Sequence, residues 1–563
     1  MNKRWEILSK KSDDIIKQIL INRNIPESEK EDFLNPDFEK GLQDPFQILE
    51  MQKAAAHVKG DILKGERLGI FADYDADGIP ASAFLYKAII FLQEKLNSKV
   101  LPPAIYIPKR EEGYGLSKEG IDSLNKAACQ TIFAVDLGST NKDEISYAKK
   151  KGLNVIVLDH HQILKTEFPN EALAVLNLKI KNQTYNFKDF SSAGVAFKFV
   201  QSLFQASQIS KGAADRFLKW NLDLVAISTI CDIVPLLGEN RILAKFGLIV
   251  LQKTKNLGLQ KLYQKMQIDP AKIGPYNVSF QIGPRLNAPG RMDSATESFY
   301  LLISEDEKET EKLAIYLDET NKKRQLELDR CLKEAKEKII KNNLHKKKVI
   351  LIYDKNWSKG IVGLVAGKLM EEFARPTFVL EEGDKTCSGS ARSIQGFHLV
   401  ETLEKAKEYL VSHGGHARAA GLTLETQHLE NLYNRLLEIA ETKLKDEDLT
   451  PKITIDAVLL TNDINYKLYR QLEKLQPHGF GNPKPVFLSH KMVLEDIRCV
   501  GRQLRHLKLK VSGFDAIGFD FGGCFADLKV NEKIDIVYNL DENTYNGESK
   551  LQFKILDLKK SPV

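Results

Sequence analysis

Four short apolar runs, each closing on a polar cluster, organise the first third of the chain. They are "LGIFA" before Asp73, "TIFAV" before Asp136, "NVIVL" before Asp159 and "ALAVL" before Asn177. Segments with helical patterning, such as 80–95 and 141–151, separate them. Continuous apolar strands alternating with helices predict a largely parallel α/β sheet covered on both faces. In such sheets the ligand site lies beyond the carboxyl ends of the strands. Three of the four runs deliver aspartates there, so this acid is expected at the mouth of the sheet and not in its core.

Residues 305–345 carry no proline or glycine, and Leu313, Leu317, Leu328, Leu332, Ala335 and Ile339 recur mostly at helical spacing. One long amphipathic helix is predicted, either simply solvated or bridging two domains. A second α/β pattern follows in "VILIY", "PTFVL", "TCSGSA" and "SHGGHARAAGLTL". From about residue 450 the pattern turns strand-rich. "KITIDAVLL", "KMVLEDIRCV", "RHLKLKVS", "DAIGFDF", "KIDIVYNL" and "KLQFKILDL" read as about six strands of a small β-barrel, with an oligonucleotide-binding (OB) type as one option. The expected division is an N-terminal segment 1–50, a first α/β domain 51–304, the connecting helix 305–345, a second α/β domain 346–447 and a barrel 448–563.

At 563 residues, 43% hydrophobic and 28% charged, the chain fits a soluble protein of several domains. Its net charge of +6 is too small to argue nucleic-acid binding without local clustering. The six cysteines form no CxxC pair, which argues against a disulfide framework or a thiolate zinc site and suits a reducing cytoplasm. No apolar run approaches the roughly 18–20 residues that span a bilayer, and "MNKRWEILSKKSDD" lacks the apolar core of a signal peptide. A soluble, cytoplasmic protein without membrane contact is expected.

"DYDADG" places Asp73, Asp75 and Asp77 within five positions, followed by a glycine and by Pro80, which suits a first helical turn. The run resembles the start of a calcium loop, but the bidentate Glu such a loop needs at position 12 is absent. Capping by the aspartates is the plainer alternative. "VLDHHQ" adds His160 and His161 beside Asp159, "VDLGS" adds Asp136, and "AISTICDIVPL" puts Asp232 where an apolar helix would bury it. A buried acid needs a positive partner. Mixed carboxylate and imidazole ligands favour Mn²⁺ or Mg²⁺, and the number of acids suggests two metals, as in phosphoester hydrolysis.

"DYDADG", "VDLG", "LDHH" and "CDIVPL", in this order, resemble the motifs of the DHH phosphoesterase superfamily, most closely its RecJ branch of single-strand-specific DNA exonucleases. The resemblance extends over nearly the whole chain through "FLNPDFEKGLQDPF", "IPKREEGYGL", "SSAGVAFK", "GPRLNAPGRM", "WSKGIVGLVAGKL", "GSARSIQGF", "SHGGHARAAG" and "LQPHGFGNPKPVF". It departs at Pro80, where relatives commonly carry a hydroxyl residue, and at Ala391, where glycine is frequent.

The resemblance implies a parallel-sheet DHH domain, a DHH-associated domain and an OB-type barrel. It implies Asp75, Asp77, Asp136, His160 and Asp232 as ligands of two Mn²⁺ or Mg²⁺ ions, with Asp136 bridging and His161 on the scissile phosphate. Asp73 and Asp159 would orient ligands. Ser390, Arg392 and Arg110 would anchor a terminal 5′-phosphate, while Gly414, Gly415 and His416 close over the substrate. Tyr114 can stack on a base or be an ordinary surface tyrosine; Phe480 can stack or pin its loop. Arg498, Arg502, Arg505, Lys508 and Lys510 either contact nucleic acid or form a solvated face. The implied activity is metal-dependent 5′→3′ exonucleolysis of single-stranded DNA to nucleoside 5′-monophosphates, in recombination and repair. Single-strand-binding protein and helicases are the implied partners. The alternatives are a phosphodiesterase for short RNA or cyclic dinucleotides and a non-catalytic DNA-binding scaffold.

Overall fold

A computed structural model of the chain describes residues 3–163, 165–523, 528–545 and 547–562. Cys524 lies outside these residues; the other five cysteines are free thiols. No helix among the described residues is long and apolar enough to cross a membrane.

The first sheet contains β1 (Arg67–Ala72), β2 (Ala104–Tyr106), β3 (Cys129–Val135), β4 (Asn154–Leu158) and β5 (Ala174–Leu176), all parallel, in the order β2-β1-β3-β4-β5. The edge strand β2 has no counterpart among the four apolar runs. At three residues after a pair of prolines, it is too short to show a period. Alternation along the strands sends Leu68, Ile70, Ala72, Phe133 and Val135 to one face and Phe71, Ile132, Ala134 and Val157 to the other, each into its own buried cluster. Three helices on the first face shape the site: α1 (Gly78–Lys95), α2 (Ser192–Ala206) and α3 (Leu222–Cys231).

The strand ends are level, with Ala72 opposite Val135 and Val135 opposite Leu158. The ladder then runs one residue further: Asp73 N–H donates to Val135, Asp136 N–H to Leu158 and Asp159 N–H to Leu176. Three aspartates therefore stand in a row on the carboxyl edge. The strand order reverses between β1 and β3, the crevice in which doubly wound sheets bind ligands.

Helix α4 (Glu307–Lys341) has Ala314 and Leu317 in the first core and Leu328, Cys331, Ala335 and Ile339 in the core of the second lobe. It is a bridge with a solvated outer face. The second lobe is a five-stranded mixed sheet carrying the helices Lys359–Phe373 and Leu429–Lys443.

Among the described residues the closed barrel has five strands. Phe487–Val500 pairs with both His506–Val511 and Lys533–Tyr545, and Phe514–Gly518 runs parallel to Glu548–Lys560, closing the sheet as an OB fold does. "KITIDAVLL" is not a sixth barrel strand. Its Lys452–Ile455 pairs in parallel with Arg4–Ile7, while Ala457–Val458 adds a short parallel pairing to the barrel at Phe487–Leu488, and Leu459 packs into the barrel core. Ile16, Ile19, Leu20 and Phe33 from the N-terminal segment join the barrel core. The buried Arg241 links three regions. Its guanidinium lies 4.0 Å from the Phe33 ring and donates to the carbonyls of Phe33, Lys474, Leu475 and Gln476.

Candidate active site

The acid run forms a turn between β1 and α1. Asp75 Oδ1 accepts from the N–H groups of Asp77 (2.8 Å) and Gly78 (3.0 Å), so it caps the helix start. A Cβ on Gly78 would stand 2.6 Å from the Asp73 carbonyl, so the turn closes only around glycine. Asp136 adopts a left-handed backbone (φ 65°), a strained conformation that an aspartate tolerates better than most residues, at the end of β3. Asp77 lies at the N-terminus of α2, where its Oδ2 accepts from Ser192 N–H at 2.9 Å.

His160 Nε2 is the focus. It lies 3.3 Å from Asp77 Oδ2, 3.4 Å from Asp136 Oδ1 and 3.4 Å from Asp232 Oδ2, yet it is buried and makes no hydrogen bond. Asp73 Oδ1 is likewise buried without a partner. Asp77, His160 and Asp232 form one group able to hold a cation, and Asp73, Asp75 and Asp136 form an adjoining one. A buried nitrogen acceptor facing carboxylate oxygens fits a hard or borderline dication with mixed oxygen and nitrogen ligands.

The electrostatics point the same way. Burial, then the charges of Asp77 and Asp75, hold Asp136 well above the usual carboxylate range. Burial and Asp77 push Asp232 up to about 9, and burial and Asp75 push Asp77 up to about 6. Burial and the neighbouring His161 lower His160 to about 3, leaving it a neutral donor of an electron pair. So many acids in one buried place are mutually destabilising unless cations sit among them.

His161 behaves differently. Burial works against its charge, but Asp159 Oδ1 accepts from its Nδ1 at 2.8 Å and holds its pKa up to about 9. Asp159 also accepts from the N–H groups of His160, His161 and Ser139, so both its oxygens are taken up in ordering this loop. With Nδ1 committed, His161 is left with Nε2 for a ligand. The Tyr114 hydroxyl lies 3.0 Å from His161 Nδ1 and donates to the Asp136 carbonyl at 2.9 Å, while its residue remains 51% exposed. His416 of the second lobe lies across the cleft from His161, on the hairpin where Gly414 opposes Gly421 and Gly415 opposes Ala420. Gly415 has φ 138°, and a Cβ there would stand 2.4 Å from the Ala419 carbonyl.

Beside the acids lies a guanidinium cluster. Arg110 donates to the Gly290 carbonyl at 3.1 Å and packs 4.7 Å from the Tyr74 ring. Ser390 and Arg392 share the surface of helix Lys359–Phe373, both against Gly363. Burial and the charges of Arg110, Arg324 and Arg392 lower Arg291 to about 10. Arg291 and Arg324 also line a cavity of about 490 Å³ with Ile233, Phe280 and Phe480, three apolar side chains at least 60% exposed. The barrel's basic hairpin lies elsewhere. Arg498 opposes Lys508 across the strands, while Arg505 pairs with Asp520 and Lys510 with Glu495.

Arg291, Arg324 and the serines around Asp77 were not singled out by the sequence, although "GPRLNAPGRM" and "SSAGVAFK" contain three of them. Each is an ordinary residue type until distant elements bring it to the cleft.

A doubly wound sheet with acids and an imidazole at its switch point, joined by a long helix to a second α/β lobe, is the architecture of the DHH class. The model described as the DHH family, N-terminal domain, matches residues 67–229, the DHHA1 domain matches 346–446 and the RecJ OB domain matches 455–557. The chain belongs to the RecJ family. It is 35% identical to the single-stranded-DNA-specific exonuclease RecJ of Bacillus subtilis, over 98% of this chain and 70% of that protein. It is 31% identical to the protein of that name from Salmonella typhimurium, over 92% of each. The crystal structure of RecJ in complex with Mn²⁺ from Thermus thermophilus superposes with a TM-score of 0.83 at 25% identity, covering all of this chain and 80% of that one.

Proposed function

We propose that the chain is a single-stranded-DNA-specific 5′→3′ exonuclease that hydrolyses phosphodiesters with two divalent cations, Mn²⁺ or Mg²⁺. The observation that carries this reading is His160 Nε2, buried, unpaired and ringed by three carboxylates at the switch point of the sheet. Its B. subtilis and S. typhimurium relatives carry the name single-stranded-DNA-specific exonuclease, and the Thermus RecJ structure is a complex with Mn²⁺.

Asp75, Asp77, Asp136, His160 and Asp232 would hold the metals, with Asp136 between the two groups and Asp73 adding charge to the second. Bound there, the cations supply Lewis acidity and neutralise charge on the attacked phosphate. His161, oriented by Asp159 and held cationic, donates from Nε2 to a phosphate oxygen and stabilises the charge that grows as the bond breaks. His416 approaches the same phosphate from the second lobe, beside the open backbone of Gly414 and Gly415.

Polarity follows from the guanidinium cluster. Arg110, Ser390 and Arg392 bind a terminal 5′-phosphate, and planar guanidinium groups suit its oxygens. The exposed Tyr114 ring stacks on the terminal base. The remaining strand follows the cavity of Phe280, Phe480, Arg291 and Arg324 toward the barrel. Single-strand-binding protein is the natural supplier of such a substrate.

Nucleotide release from 5′-labelled single strands with Mn²⁺ tests the proposal. Release of 5′-mononucleotides from single strands only, lost in Asp136→Ala, is expected. Equal release from duplexes or from 3′ ends would overturn it.

A further inference from the structure

Three serines lie beneath the acid centre, all fully buried: Ser191, Ser192 and Ser228. Ser192 touches two acids at once. Its hydroxyl donates to Asp136 Oδ1 at 2.7 Å, and its N–H donates to Asp77 Oδ2 at 2.9 Å. The Ser228 hydroxyl on α3 donates to Asp77 Oδ1. Ser228 has one proton, and the carboxylate is its strongest acceptor. Ser191 Oγ lies 2.8 Å from Ser228 Oγ and 3.3 Å from Thr229 Oγ1. Ser191 in turn accepts from Gly194 N–H at the start of α2. The hydroxyls of Ser192 and Ser228, one from each of two helices, thus both donate to acids.

We infer that Ser192 and Ser228 are positioning residues that set the affinity of the metal centre by fixing which carboxylate lone pairs of Asp136 and Asp77 face the cations. A carboxylate in a rigid pocket offers a metal only the lone pairs its neighbours leave free. Ser192 occupies one site on Asp136 Oδ1, and Ser228 occupies one on Asp77 Oδ1. Neither hydroxyl touches the substrate cleft. Groups that orient metal ligands in this way typically change metal affinity by about 10–100-fold when removed.

The inference rests on Asp77 and Asp136 being ligands, so three variants are titrated with Mn²⁺ alone by calorimetry. Ser192→Ala keeps the N–H that reaches Asp77 and should bind Mn²⁺ about 10–100-fold more weakly. Its melting temperature without metal should fall only by the small amount one lost hydrogen bond allows, and at saturating Mn²⁺ its kcat should recover to within a few fold, with KM for DNA unmoved. A purely structural serine would leave the affinity alone and lower the melting temperature further. Should Ser192→Ala not melt cooperatively, Ser228→Ala decides by the same titration. Asp136→Ala separates the two failures. If it binds Mn²⁺ as the parent does, the ligand assignment falls; if it loses Mn²⁺ while both serine variants bind normally, only the positioning role falls.

Discussion

The ring of His416, carried by the second lobe, lies parallel to that of His161 on the first, with centroids 6.4 Å apart and planes at 15°. Burial and the charge of His161 lower His416, so a neutral imidazole faces a cationic one. A phosphate bound along the shared edge of the two rings would be met by a donor from each lobe. His416→Ala should cost about 10²-fold in kcat, the usual loss for one preorganised donor. Mn²⁺ affinity should be unchanged, because His416 is carried by a different lobe from the metal-ligand set. Steady-state kinetics alongside Mn²⁺ titration checks both.

Metal binding should stabilise the fold. A ligand that binds only the native state adds about 2.7 kcal/mol at 100 times its Kd, so Mn²⁺ should raise the melting temperature and a chelator should reverse the rise. Asp232, whose carboxyl burial and Asp77 push up to about 9, is the most exposed of the acids around His160. Asp232→Asn replaces a carboxyl that ionises in this crowded place only at a cost. It should leave the metal-free protein at least as stable while shrinking the Mn²⁺-induced rise, measured by scanning calorimetry.

Arg241 should prove a structural strut. Replacement by Met leaves four carbonyls without their donor, at about 1 kcal/mol each, for a predicted loss of about 3 kcal/mol or more in urea unfolding. Arg241→Lys should rescue little, since a single ammonium cannot span the same fork of acceptors. Limited proteolysis should open the chain near Lys474–Gln476.

His478 gives a pH signature away from the acids. Burial, then the charges of Arg23, Lys484 and Arg241, lower it to about 3. The unfolded chain takes up this proton below about 6.5, while the native state refuses it until near 3. Stability from this residue is therefore complete above pH 6.5 and lost as pH falls toward 3, at about 1.4 kcal/mol per pH unit. His478→Gln should flatten that slope relative to the parent in urea unfolding between pH 6.5 and 4.

Much of the first domain was legible because its logic is local. An apolar run ending at Asp73, Asp136 or Asp159 announces both a strand and the edge that bears the acids. The capping and metal readings of "DYDADG" meet in one residue, since Asp75 caps α1 with Oδ1 and also belongs to a group able to hold a cation. What stayed hidden depends on docking. "KITIDAVLL" alternates as a strand should, but alternation does not name a partner, and the partner is Arg4–Ile7. Arg291 approaches Arg110 and Arg392 only because three elements converge. The Ser228 hydroxyl gains its purpose only when α3 packs beside α2.

The pairing of Arg4–Ile7 with Lys452–Ile455 ties biosynthesis to architecture. Translation at about 5–20 residues per second leaves that first strand waiting on the order of a minute for its mate. Throughout that interval Ile16, Ile19 and Leu20, destined for the barrel, have no core to enter. The first lobe is thus synthesised in full while the segment ahead of it still lacks its partner, and mutations that slow folding of the barrel should betray themselves as aggregation of the nascent chain.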